Sequence, residues 1–167
     1  MSNKIFFFKK SKAVTINKGH DTSWYAPYKP NKIKEELGLS DDAFLLINVA
    51  NNRKMKGIPY LIKSIALLPK SKNIHLLLVG KGMKTRENTK ILRDAGCQDR
   101  VHFLGFRKDV LNIVAASNVF VLSSLFGESI TKSVIEAMSL KKPAIITDIR
   151  GNIELIEDGK SGLITPV

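Results

Sequence analysis

Apolar runs of strand length recur along this chain, and they narrow the available folds more than any other feature. The runs are "AFLLINVA" (43–50), "IHLLLVG" (74–80), "VHFLG" (101–105), "VFVLSS" (119–124) and "PAIIT" (143–147). Stretches with helical periodicity separate them, at 58–68, 84–95, 108–116 and 130–139. Strands that are apolar on both faces and alternate with helices predict an α/β fold, a Rossmann-like doubly wound parallel sheet. Such sheets bind ligands at the carboxyl ends of their strands.

The two ends of the chain are less regular than the middle. Residues 1–34 form a basic lead-in and linker, with one strand predicted near 12–16, and residues 35–167 form a single predicted domain. With 167 residues, 44% of them hydrophobic, the chain is long enough to bury one sizeable core. A further short strand is predicted in "GLITPV" (162–167), and we expect the chain to be part of a larger protein.

The charge of the chain favours an anionic partner. Lys and Arg number 27 against 15 for Asp and Glu, and eight of the lysines fall within the first 34 residues, where Asp21 is the only acid. A positive field of this size attracts a nucleotide or phosphate ligand, a nucleic acid or the acidic face of a membrane. The charge alone does not choose among these partners.

Cysteine and histidine usage limits the chemistry further. Cys97 is the only cysteine, which excludes an intrachain disulfide and a Cys-rich zinc site and fits a reducing cytoplasm. The histidines His20, His75 and His102 are scattered, so no metal site is predicted. The apolar run in "KIFFFKK" is four residues long. A signal-peptide core needs about 7 to 15 apolar residues and a membrane span needs about 20.

A glycine turn follows the second apolar run. In "VGKGMKT", Thr85 stands where a dinucleotide fingerprint needs its third glycine, and Met83 stands where a P-loop needs glycine directly before its lysine. What remains is a tight turn at Gly80 and Gly82. Glycine at these positions allows either a close approach of the backbone to a ligand or an ordinary turn with positive φ. Both interpretations stay open at this point.

A basic turn follows the first apolar run. In "NNRKMKG" (51–57), Arg53 and Lys56 precede the helix in which Pro59 occupies the first turn. Helix N-termini attract phosphate, and basic side chains beside them suit a diphosphate. The alternative is a solvated basic turn.

Two carboxylates, Glu128 and Glu136, lie eight positions apart in "GESITKSVIEAM". If the residues between them are mostly helical, eight steps separate them by about 12 Å. The carboxylate pair of a glycoside hydrolase is about 5 to 9.5 Å apart, so these two are not expected to share one scissile bond. They suit separate parts of one extended ligand. Glu136 also forms an i,i+4 pair with Lys132, and the simplest alternative is that this pair is only structural.

These motifs, taken in order, resemble the glycosyltransferases of group 1 (family 4), which have the two-domain GT-B fold and retain anomeric configuration. Glu128 and Glu136 are similar to that family's E-x7-E element, and "NNRKMKG" resembles its phosphate-binding turn. "LLLVGKGM" resembles its second-strand turn, "DRVHFLGFRKDV" its base-contacting segment and "INKGHDTSWYAP" its interdomain entry. The resemblance extends over residues 12–167 and implies the C-terminal, nucleotide-sugar-binding half of a GT-B fold.

The resemblance implies a role for each candidate residue. Glu136 would hold the ribose hydroxyls and Glu128 a hydroxyl of the donor sugar, while Arg53 and Lys56 would neutralise the departing diphosphate. The remaining donor contacts would come from the helix start at Ser129, Ile130 and Thr131, the turn at Gly80 and Gly82, and the base-edging segment Gly105, Phe106 and Arg107. By the same analogy, catalysis would stabilise charge on a leaving group, which needs prearranged hydrogen-bond donors more than an acid–base pair. The resemblance implies neither a cofactor nor a metal.

The resemblance also implies an activity. A hexosyl group would move from an NDP-sugar such as a UDP-sugar to a glycan or lipid-linked acceptor, as in polysaccharide biosynthesis. The acceptor would bind an N-terminal domain that this sequence does not contain, so the chain is expected to bind donor without catalysing transfer. The expected location is the cytoplasm, with peripheral contact to the inner face of the membrane.

Two alternatives from other classes stay open. One is a basic module that binds nucleic acid or an anionic membrane, which is disfavoured for nucleic acid because Phe6, Phe7 and Phe8 form a single block instead of alternating with basic residues. The other is a dinucleotide-dependent enzyme, which is disfavoured by the missing third glycine.

Overall fold

One parallel sheet forms the centre of the protein. The structure is a computed structural model that describes residues 21–167. The strands run in the spatial order β3-β2-β1-β4-β5-β6, and every neighbouring pair is parallel. They are β1 (Phe44–Val49), β2 (Ile74–Val79), β3 (Val101–Gly105), β4 (Val119–Leu122), β5 (Ala144–Thr147) and β6 (Gly162–Thr165). The predicted doubly wound α/β fold is therefore confirmed. The strand predicted near 12–16 lies outside the described residues.

Helices connect the strands. They are α1 (Ile33–Glu36), α2 (Ile58–Leu67), α3 (Arg86–Asp94), α4 (Val110–Ala116) and α5 (Lys132–Ser139), with 3₁₀ turns at Thr22–Tyr25, Lys54–Lys56, Lys70–Lys72 and Ile153–Leu155. Three helices begin later than predicted, since α3, α4 and α5 begin at Arg86, Val110 and Lys132 and the predicted starts were 84, 108 and 130. Thr85 caps α3, since its Oγ1 accepts a hydrogen bond from Asn88 N at 3.0 Å. Thr131 holds the N-cap position of α5, so Ile130 lies in the preceding loop.

The core consists of two clusters, one on each face of the sheet. Strand β2 shows why both faces are apolar: Leu76 and Leu78 pack with α2 and α3, whereas Leu77 and Val79 pack with α1, α4 and α5. Ile33, in the predicted linker, is fully buried in the second cluster. The end of the linker thus packs with the domain.

The strand order reverses at the boundary between β1 and β4. After β1 the chain proceeds outward to β2 and β3, then returns to β4 and proceeds outward to β5 and β6. The helices that follow β1 and β4 therefore cover opposite faces, and a crevice opens between the two strand ends. Two segments border this crevice, the β1 loop (residues 50–57) and the β4 loop (residues 123–131).

Candidate functional site

The β1 loop and the β4 loop are joined by backbone contacts. Leu125 N donates a hydrogen bond to Met55 O at 2.7 Å, and Ser123 Oγ donates one to Lys56 O at 2.9 Å. Gly57 makes this approach feasible, because a Cβ atom there would lie 2.1 Å from Ser123 O and its φ is +62°. The two loops therefore hold their side chains in fixed relative positions.

Lys56 and Glu128 form an ion pair across the crevice. Lys56 Nζ lies 2.5 Å from Glu128 Oε1, and the two side chains are only 15% and 9% exposed. The predicted diphosphate-binding lysine and the predicted sugar-binding carboxylate thus occupy one site. Each charge therefore lies beside an opposite charge in a position that is largely shielded from water.

Two hydroxyl groups complete the surroundings of Glu128. Ser124 Oγ donates to Oε1 at 2.5 Å, and Thr131 Oγ1 donates to Oε2 at 3.2 Å. Burial by itself raises the pKa of Glu128, but the hydrogen bonds from Lys56, Ser124 and Thr131 and the charge of Lys56 outweigh it, so the pKa lies below its ordinary value. Glu128 is therefore an anion at neutral pH and acts as an acceptor of hydrogen bonds.

Arg53 lies at the start of the same basic turn. It precedes the 3₁₀ turn Lys54–Lys56 with extended backbone, is exposed, and forms no ion pair with any residue of the described range 21–167. Its guanidinium is free to accept an anion that enters the crevice.

Glu136 lies on α5 and pairs with Lys132, as the spacing predicts. Lys132 Nζ is 3.1 Å from Glu136 Oε1, and the Glu136 side chain is 17% exposed. The negative charge of Glu136 also acts on Tyr25, whose pKa is raised first by burial and then by that charge. Glu136 therefore has a structural partner at present, and its predicted contact with ribose stays a prediction.

The predicted base-contacting segment borders a groove at the carboxyl ends of β1, β2 and β3. The groove has a volume of about 240 Å³ and is bordered by Val49, Ala50, Asn51, Val79, Gly80, Phe106, Arg107 and Val110. A second groove of about 490 Å³ adjoins it and includes Gly80, Gly82, Gly105 and Phe106. Phe106 is 65% exposed, with Lys81 Nζ 5.6 Å from its ring centroid. The structure thus brings together the residues that the resemblance assigns to the base.

Arg107 differs from its neighbours because its guanidinium is already engaged. It donates to both carboxylate oxygens of Glu36, at 2.5 and 3.0 Å, and to both of Asp109, at 2.8 and 2.9 Å. The hydrogen bonds from Arg107 hold the pKa of Asp109 at about 2. The side chain of Arg107 therefore fastens α1 to the start of α4, and only its backbone and aliphatic part are available to a ligand in the groove.

Gly80 has a structural requirement that the sequence left open. A Cβ atom at Gly80 would lie 1.8 Å from Ala50 O, and φ is +141°. Glycine is thus needed where the turn after β2 passes the turn after β1. Gly82 has more space, since its Cβ would meet only Asn52 Cβ at 3.7 Å.

The structure adds residues that the sequence did not single out. Ser124 contacts Glu128 directly, and Asn152 Oδ1 accepts a hydrogen bond from Thr131 N at 3.1 Å. The predicted N–H groups at the start of α5 therefore include one, on Thr131, that already has a protein partner. Ser124 ends an apolar run and Asn152 lies in an irregular segment, so no periodicity marked either one.

Comparison with known proteins identifies the family. Residues 30–167 match the family model described as "Glycosyl transferases group 1". The chain belongs to this family. The group 1 assignment agrees with the order of motifs in the sequence and with the Rossmann-like fold typical of GT-B glycosyltransferases.

Two relatives of this group 1 chain are named as glycosyltransferases. It is 30% identical over 153 residues to "Putative glycosyltransferase EpsD" of Bacillus subtilis, covering 89% of this chain and 40% of that protein. It is 28% identical over 167 residues to an Escherichia coli protein named "UDP-Gal:alpha-D-GlcNAc-diphosphoundecaprenol alpha-1,3-galactosyltransferase", covering 96% of this chain and 43% of that protein.

A solved structure with the same fold contains ligands. Anabaena Alr3699/HepE in complex with UDP and glucose superposes on this group 1 chain with a TM-score of 0.78 and 28% identity, over 89% of this chain and 41% of that protein. The chain thus spans about two fifths of the length of each of these three proteins.

Residues 21–167 lack two features. No group of three or more His, Cys, Asp or Glu side chains in this range could hold a metal ion. No helix among these residues has the length and apolar character needed to cross a membrane.

Proposed function

We propose that this chain is the nucleotide-sugar-binding domain of a retaining glycosyltransferase that transfers a hexosyl group from an NDP-sugar. The observation that carries the proposal is the joint position of Lys56 and Glu128, one from each loop, at the crevice between β1 and β4. The cation of Lys56 suits a diphosphate, and the adjacent carboxylate of Glu128 suits the hydroxyl groups of a sugar joined to that diphosphate. Family membership and the UDP bound to a solved relative support the same ligand class.

The charges of the site suggest how transfer proceeds. As the bond between sugar and diphosphate breaks, negative charge grows on the diphosphate oxygen that leaves. Lys56 is held in place by Glu128, and the exposed Arg53 has no ion-pair partner among residues 21–167, so both stabilise this charge without a large rearrangement. The cations supply what a metal ion supplies elsewhere, and we propose that neither a metal nor a cofactor is needed.

The other parts of the donor have places along the same edge. Glu128 accepts a hydrogen bond from a sugar hydroxyl, and Glu136 exchanges its contact with Lys132 for the ribose hydroxyls. The base occupies the groove beside Phe106, with Gly80, Gly82 and Gly105 allowing a close approach of the backbone. The N–H groups of Ser129 and Ile130 face the sugar and phosphates at the start of α5.

The acceptor is assigned to a region outside this chain. A glycan or lipid-linked acceptor would bind an N-terminal domain, and we expect the 167-residue chain alone to bind donor without transferring sugar. A lipid-linked acceptor would place the enzyme in the cytoplasm with peripheral contact to the inner membrane face. The name of the Escherichia coli relative, which includes a diphosphoundecaprenol acceptor, supports this class.

Calorimetric titration of the chain with UDP and UDP-glucose tests the proposal. Lys56→Ala should weaken both ligands at least about tenfold, because a charge-assisted contact to phosphate is lost. Glu128→Ala should weaken UDP-glucose more than UDP, since only the former has the sugar. Lys63→Ala is the matched control, because this exposed lysine lies on α2 and contacts the ring of Tyr60. Unchanged affinities in both site variants would refute the proposal.

A further inference from the structure

A third segment supports the β4 loop from behind. This segment, which we name the β5 loop, comprises residues 148–152 and follows Thr147 at the end of β5. Thr147 Oγ1 donates to Ser124 O at 2.5 Å. Gly151, with φ of +97°, packs so closely that a Cβ there would lie 3.1 Å from the Cα of Ser129. The β4 loop is therefore shaped by the end of β5 as well as by the β1 loop.

Asn152 makes the most specific of these contacts. Its side chain is fully buried, and its Oδ1 accepts a hydrogen bond from Thr131 N at 3.1 Å. Thr131 Oγ1 in turn donates to Glu128 Oε2 at 3.2 Å. Two hydrogen bonds thus connect a buried amide in the β5 loop with the carboxylate of the proposed donor site.

The amide nitrogen of Asn152, Nδ2, is a buried donor without a hydrogen-bond partner in the described part of the chain, residues 21–167. An unsatisfied buried donor is costly, so an asparagine at this position requires a compensating gain. We infer that the gain is a fixed Thr131 backbone. Without the Asn152 Oδ1 atom, the Thr131 N–H at the N-cap of α5 would lose its protein partner. The Thr131 hydroxyl would then lose its fixed direction.

We propose that Asn152 is a positioning residue for Glu128. It holds Thr131 so that the Thr131 hydroxyl keeps the Glu128 carboxylate facing the sugar, while Asn152 itself does not touch the donor. This inference rests on the proposed function, because it assigns Glu128 to the donor sugar. It predicts that loss of Asn152 affects recognition of the sugar more than recognition of the nucleotide.

The first test is amide hydrogen exchange of the ligand-free 167-residue chain. Asn152→Ala should make the Thr131 amide exchange at least about fivefold faster, as expected for the loss of one hydrogen bond. Asn152→Asp keeps an oxygen acceptor of the same shape and should retain the protection of Thr131. Asn48→Ala is the matched control. Asn48 is also fully buried, donates from Nδ2 to Val121 O at 2.8 Å, and has no partner for its Oδ1 in the described part of the chain.

The second test compares affinities for UDP and UDP-glucose. Asn152→Ala should weaken UDP-glucose about fivefold while changing UDP by less than about twofold, and Asn152→Asp should restore most of the difference. Asn48→Ala should change the two affinities by the same factor. A role limited to overall stability would likewise change both ligands equally.

The outcomes separate the two proposals. Unchanged exchange at Thr131 in Asn152→Ala, or equal weakening of UDP and UDP-glucose, would overturn the role of Asn152. If the unaltered chain binds neither ligand, the proposed function fails, and the exchange result alone decides whether Asn152 holds the β4 loop.

Discussion

At the scale of single residues, the site depends on groups that neutralise each other before any ligand arrives. Glu128 accepts from Lys56, Ser124 and Thr131, so its charge is held in a largely buried place by three donors. A buried carboxylate without partners would be protonated or would destabilise the fold. The same contacts that stabilise the buried charge of Glu128 also fix the direction of its carboxylate.

Acid should weaken the contacts of the Glu128 carboxylate, and comparison with Glu128→Gln should show how much they contribute to stability at each pH. Because the folded pKa of Glu128 lies below the ordinary 4.5, its contribution to stability is present above that value and is lost as pH falls through the folded pKa. At pH 7 we expect Glu128→Gln to cost about 2 kcal/mol. Below about pH 4 the difference between the two proteins should shrink. Urea unfolding at several pH values measures it.

Glu154→Gln is the control for this experiment. Glu154 is exposed and forms no ion pair with another described residue, so its replacement should have little effect at any pH. A Glu128→Gln difference that stays constant from pH 7 to pH 3 would contradict the ionic description of the site.

At the scale of elements, the loops after β1 and β4 act as one unit. Their backbones contact at Met55 and Leu125, and Gly57 allows the chain to turn into α2 at that point. Neither loop contains a regular element that could hold it alone, apart from the single turn Lys54–Lys56. The relative position of the residues proposed to bind the diphosphate and the sugar therefore depends on the contact between the loops.

Gly57→Ala tests that contact, with Gly38→Ala as its matched control. The two glycines have nearly the same positive φ, 62° at Gly57 and 65° at Gly38. A Cβ added at Gly57 would lie 2.1 Å from Ser123 O, whereas a Cβ added at Gly38 would have no atom within 4 Å. The control should cost about 1 kcal/mol for strain alone. Gly57→Ala should cost at least about 2 kcal/mol more and should weaken UDP-glucose. Equal losses of unfolding free energy would show that the loops are not closely packed.

At the scale of the whole molecule, positive charge is concentrated at the edge of the sheet where the strands end, the edge that we propose binds the donor. Eight basic and three acidic residues lie in the segments that follow the strands at their carboxyl ends. These segments are 50–57, 80–85, 106–109, 123–131 and 148–152. Six basic and five acidic residues lie in the segments that precede the strands. These segments are 37–43, 68–73, 95–100, 117–118, 140–143 and 156–161. The fold thus directs the field of the protein toward an anionic ligand.

Salt should therefore weaken nucleotide binding. Raising the ionic strength from about 0.05 to about 0.5 M shortens the screening length to a few ångströms, and UDP affinity should fall several-fold. Uridine, which lacks the diphosphate, should show almost no change and serves as the control ligand. Calorimetry of both ligands at each salt concentration measures the effect. Equal salt dependence for uridine and UDP would contradict a role for the positive edge.

The sequence by itself determined the class of fold and placed the candidate site residues in segments that follow the strands. Apolar runs on both strand faces require burial on both sides, and this requirement is local enough to be visible in "LLINV" and "HLLLV". The motifs likewise indicated the family and the loops that contain Lys56 and Glu128. Helix starts were less predictable, because Thr85 and Thr131 define them through cap positions that periodicity does not show.

Only the tertiary structure decided which charged groups are paired with one another. Lys56 and Glu128 are 72 residues apart, Arg107 and Glu36 are 71 apart, and the amide of Asn152 reaches Thr131 from another loop. No local pattern encodes such contacts, since they arise where strands distant in sequence become neighbours in the sheet. The physical reason is that strand order, which brings β1 beside β4, is set by packing of the whole core.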